Sequence, residues 1–127
     1  MRVVVITGSR EWTERLPISI VVALADLVIH GGARGADTLA ERAAAQLQID
    51  TLTLRAKWTK AANPAKVDKW AGFERNERMA KHAAELSAMG DDVQCFAFPL
   101  GESRGTRDCI ARMRKHGVKT TVYGEAS

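Results

Sequence analysis

The 127-residue sequence predicts a single three-layer α/β domain: a five-stranded parallel sheet in the order 3-2-1-4-5, with helices on both faces. Three observations carry this expectation. Apolar β-branched runs alternate with stretches of helical periodicity along the chain. The first run, "RVVVIT", shows no polar alternation, as a strand covered on both faces should not. The length is that of one domain, enough to bury a core without disulfides or metal.

The first strand runs from Arg2 to Thr7. A helix is expected between Thr13 and Ala25, with Leu16, Ile20 and Leu24 four apart on one stripe and Pro17 in its first turn. "LVIH" is a short second strand. "ADTLAERAAAQL" places Ala36, Leu39, Ala40, Ala43, Ala44 and Leu47 on one helical stripe, and its alanines permit close packing on a sheet. "DTLTLRA" reads as the third strand, and "KWTKAANPAKVDKWAG" as a long, lysine-rich loop. "FERNERMAKHAAELSA" is a third helix with Phe73, Asn76, Ala80 and Ala83 facing inward. "VQCFAF", the loop "PLGESRG", the helix "TRDCIARMRKH" stopped by Gly117, and the strand "VKTTVY" complete the chain.

Hydrophobic residues make up 46% and charged residues 27%, the balance of a soluble globular protein. The longest apolar stretch is broken by Asp26 and is too short to span a bilayer, so no membrane partner is expected. The N-terminus is a strand leading into glycine and lacks a cleavable apolar core, which favours the cytoplasm. Cys95 and Cys109 have no metal-ligand spacing and read as buried reduced thiols; neither metal nor cofactor is expected. A net charge of +4 admits a phosphate or nucleic-acid partner. The basic residues are spread along the chain, and Arg112, Arg114, Lys115 and His116 sit where they offset a helix dipole.

In the 3-2-1-4-5 order the chain reverses between strands one and four, and ligands bind outside the carboxyl ends of the strands at that point. Four loops meet there. Gly8, Ser9 and Arg10 leave strand one, and "HGGARGAD" leaves strand two. The Trp58 and Trp70 segment leaves strand three, and Gly101, Ser103, Arg104, Gly105 and Thr106 follow strand four. Gly31, Gly32 and Gly35 are expected to clear side chains from a helix N-terminus, where free N–H groups and the dipole favour an anion. Gly105 and Thr106 repeat that arrangement, while Arg10, Arg34, Arg75 and Arg104 add positive charge. Asp37 either offsets the dipole or acts as a carboxylate catalyst. Asn76 either contacts ligand or pins a loop, His30 reads as a structural histidine, and Trp58 and Trp70 serve as lids, packing or base-stacking platforms. No P-loop, no G-x-G-x-x-G after strand one, no zinc-deaminase set and no G-x-S-x-G elbow is present.

"GSREW", "HGGARGAD", the Trp58 loop, "AGFERN" and "FPLGESRGT", in this order, resemble the SLOG superfamily, the Rossmann-like domain of Smf/DprA and LOG proteins. More narrowly they resemble its YspA-like branch of bacterial and phage proteins. The resemblance implies a nucleotide or nucleotide-derived ligand at the glycine-rich loops and a homo-oligomer. LOG proteins are phosphoribohydrolases with the motif P-G-G-x-G-T-x-x-E. Here Gly105 and Thr106 match, but Cys109 holds the glutamate position, and a glycosidase needs a carboxylate. Asp37 is left as the best-placed carboxylate for such a reaction. DprA-like relatives bind single-stranded DNA, which would use the lysine-rich loop and the tryptophans. Three functions follow in order: a nucleotide-binding sensor or accessory module, a nucleotide-processing hydrolase with Asp37 as its base, and a protein binding single-stranded nucleic acid weakly.

Overall fold

The computed structural model describes residues 1–60, 63–68 and 70–124. Strands β1 (Arg2–Gly8), β2 (Leu27–His30), β3 (Asp50–Thr53), β6 (Asp92–Phe98) and β7 (Lys119–Val122) form one parallel sheet in the order β3-β2-β1-β6-β7. This is the order expected from the sequence. A two-stranded antiparallel ribbon, β4 (Thr59–Lys60) and β5 (Asn63–Val67), lies in the segment expected to be a loop. Among the described residues the helices are α1 (Arg15–Val22), α2 (Ala36–Leu47), α3 (Ala71–Ala88) and α4 (Arg104–Lys115).

Side-chain alternation along β1 divides the core. Val4 and Ile6 pack with Ile18, Val22, Ala40 and Ala44 under α1 and α2. Val3 and Val5 pack with Met79, Ala83, Cys109 and Met113 under α3 and α4. The period of two thus produces the three layers.

Two expectations need correction. Leu16, Ile20 and Leu24 are exposed, while Ile18, Val21, Val22 and Ala25 face the sheet. Both sets have helical spacing, but the second fills i, i+3, i+4 and i+7 with small or β-branched groups that fit against Val4 and Val28. Strand β3 ends at Thr53, so Arg55 lies beyond the carboxyl end of the sheet instead of within a strand.

Candidate nucleotide-binding clefts

Two adjoining clefts open at the carboxyl edge of the sheet. The first, of about 460 Å³, lies between the β1 and β6 loops, where the strand order reverses. The Ser9 N–H donates to the Phe98 carbonyl at 2.9 Å and joins these loops. Gly8, Ser9, Arg10 and Asp37 line one wall, and Ser103, Arg104, Gly105 and Thr106 the other. Trp58, Arg75 and Asn76 complete the expected set in this cleft. The second cleft, of about 480 Å³, holds Gly31, Gly32 and Arg34 and shares Arg10, Trp58 and Arg75 with the first. Gly35 and Gly101 line neither.

The two helix N-termini at this edge differ. At α2, Asp37 Oδ2 accepts the N–H groups of Gly31 at 3.1 Å and Ala33 at 3.2 Å. The Ala36 N–H donates to the Ser9 carbonyl. Gly35, with φ +82, lets that carbonyl approach, since a β-carbon there would overlap it. These three N–H groups therefore serve the protein itself. At α4, the first turn carries no acidic residue and no side-chain cap. Ser103 Oγ donates instead to Thr106 Oγ1 at 2.8 Å. Gly105 has open space where a side chain would stand, and Arg104 is exposed beside it. This N-terminus presents backbone donors to the cleft.

The glycines after β2 have another use. A β-carbon on Gly31 would overlap the Arg75 guanidinium, whose Nη1 donates to the Gly31 carbonyl at 2.8 Å. Gly32 has φ +72, and a β-carbon there would lie 2.7 Å from Arg55 Nη1. That atom donates to the Gly32 carbonyl at 3.3 Å. The glycine pair thus seats two arginines.

Asn76, 3% exposed, accepts from Arg75 Nε at 3.0 Å and donates to Gly105 O at 3.1 Å and Asp108 Oδ2 at 3.0 Å. It aims Arg75 and ties α3 to the start of α4, so it pins this loop while also lining the first cleft. Arg10 stacks over the Trp58 ring at 5.7 Å, and Arg34 pairs with Glu11 at 2.9 Å. Trp70, 70% exposed, lines neither cleft. His30 is structural: Nδ1 accepts the Gly32 N–H at 3.0 Å, leaving Nε2 to donate to Glu41 at 2.6 Å.

Asp37 is buried, and its Oδ1 has no partner among the described residues. Burial raises its carboxyl above the ordinary range, against the opposing bond from Ala33 and the charge of Arg75. Cys109 is fully buried in the core, with its thiol pushed up to about 12 by desolvation. Sequence reasoning missed Thr7, Glu11, Phe73 and Leu100 in the first cleft and Arg55 in the second. Placing Arg55 inside a strand hid it, although the carboxyl end of any strand in this sheet is a candidate position.

Comparison with known proteins agrees with this architecture. Residues 2–60 match the family model described as the YspA, cpYpsA-related SLOG family. The Gene 61 protein of Mycobacterium phage D29 is 36% identical over 139 residues, covering 98% of each chain. The X-ray structure of DNA processing protein A (DprA) from Streptococcus pneumoniae superposes with a TM-score of 0.56 at 19% identity. That match covers 95% of this chain and 58% of the DprA chain, and it shows a shared fold.

Proposed function

Since the chain belongs to the YspA, cpYpsA-related SLOG family, we propose that it is a nucleotide-binding sensor or accessory module whose first cleft takes the ligand phosphate at the N-terminus of α4. The contrast between the two helix starts carries this proposal. The α2 turn contains its own carboxylate, whereas α4 offers an open first turn flanked by Arg10, Arg75 and Arg104. Backbone donors and guanidinium groups together suit a phosphate. The volume suits one small ligand.

A binding role fits the lining better than hydrolysis. Asp37 and Glu11 are the carboxylates of this cleft among the described residues. Main-chain N–H groups hold Asp37 through Oδ2 alone, its Oδ1 having no partner among the described residues, and Arg34 pairs with Glu11. Titration calorimetry with AMP tests the proposal. Arg104→Ala should weaken binding about tenfold or more, the loss of a charge-assisted hydrogen bond. Gly105→Val should block the cleft while leaving the fold intact, because the site of the new side chain is empty. Equal AMP affinity in wild type and both variants would overturn the assignment.

A further inference from the structure

The second cleft is built from arginines. Arg55 and Arg75 rest on the carbonyls of Gly32 and Gly31, in space that any other residue pair would fill. Arg10 and Arg34 join them around the same cavity. Among the described residues only Arg34 of these four has a carboxylate partner within ion-pair distance. Asp37 and Glu41 offset Arg75 and Arg55 only from a distance, and gathering three guanidinium groups without an ion-pair contact favours an anion that relieves their repulsion. The main chain fixes two of the heads in place, so this is an organised cluster and not a set of free surface side chains.

Each cleft has the volume of one small-ligand site, and they meet at Arg10, Ala33, Trp58 and Arg75. The unpaired cationic lining ends at Phe73. Beyond that ring Glu74, Glu77 and Asp108 are paired with Arg78, Lys81 and Arg112, so the neighbouring surface is balanced in charge and offers no net attraction to a further phosphate. The charge pattern therefore fits a ligand of two units better than a long polyanion.

We propose that the second cleft is an anion subsite continuous with the first, and that the ligand is a dinucleotide: two nucleoside units joined through phosphate. One phosphate would lie at the α4 N-terminus and another between Arg55 and Arg34, on either side of Trp58. This inference rests on the nucleotide-binding function proposed above.

Calorimetry with AMP, 5′-phosphorylated diadenylate and a long single-stranded oligothymidylate tests it. Diadenylate should bind wild type about tenfold more tightly than AMP. Arg55→Gln should abolish that advantage and leave AMP affinity unchanged, since Arg55 lines only the second cleft. If AMP binds and diadenylate binds no better, or if Arg55→Gln weakens both alike, the subsite is overturned and the first cleft stands. If neither binds, both proposals fall. Oligothymidylate binding about tenfold more tightly than diadenylate would replace the dinucleotide with a nucleic-acid strand.

Discussion

Asp37 Oδ2 accepts the Gly31 N–H at 3.1 Å, so the turn entering α2 carries its own anion. That single contact separates two glycine-rich helix starts that look alike in sequence. It leaves α4 as the open one and gives the buried carboxylate a definite stability signature.

Asp37→Asn should be at least as stable as wild type near neutral pH. Its amide oxygen can keep both N–H partners while the buried charge is removed. Asp37→Ala should cost about 1–3 kcal/mol for each buried N–H left without an acceptor. Because burial raises the native carboxyl, the folded state holds this proton more tightly than the unfolded state. Wild-type stability relative to Asp37→Asn should therefore fall as pH rises from the ordinary carboxylate range through the raised native value. Urea denaturation of the three proteins across that range checks the sign. A difference that stays flat with pH would refute it.

Glu41 and Glu77 should act in the opposite direction. Hydrogen bonds from His30 and His116 respectively hold these carboxyls below their ordinary range. Their stabilisation is present above that range and is lost as pH falls toward the depressed native values. Glu41→Gln and Glu77→Gln should each flatten the acid side of the thermal stability curve. The effect will be modest because both groups meet solvent.

Gly31→Ala should disturb binding more than folding. The new methyl displaces the Arg75 head from the Gly31 carbonyl, at a cost of about one hydrogen bond, 0.5–1.5 kcal/mol. AMP affinity should drop to the level of Arg75→Ala. Parallel melting and calorimetry of the two variants decide this. Gly31→Ala with full affinity would show that the seat of Arg75 is irrelevant to the ligand.

The sheet was legible because β-branched runs and helical stripes alternate cleanly, and short connections leave few strand orders. The inner face of α1 was not, since Leu16, Ile20 and Leu24 compete with Ile18, Val21, Val22 and Ala25 for the same period. The edge where the clefts form followed from topology. The purpose of Gly31 and Gly32 did not, because a missing side chain looks the same whether a ligand or the protein's own arginine takes the space.

Cys109 occupies the glutamate position of the phosphoribohydrolase motif, yet its side chain belongs to the core under α4. Native protein should resist thiol reagents at mildly alkaline pH and react only on unfolding, as burial holds the thiol at about 12. Cys109→Glu should lower the melting temperature sharply, because a carboxylate there would be buried without a partner. Rapid labelling of folded protein, or a stable glutamate variant, would contradict this placement.

The most direct measurement of the central claim is an amide NMR titration with AMP. The largest shifts should appear at the N–H groups of Arg104, Gly105 and Thr106, which open on the first cleft. The Gly31 and Ala33 amides, already bonded to Asp37, should stay nearly unmoved. Dominant shifts at Gly31 to Gly35, or no shift at either loop, would contradict the account.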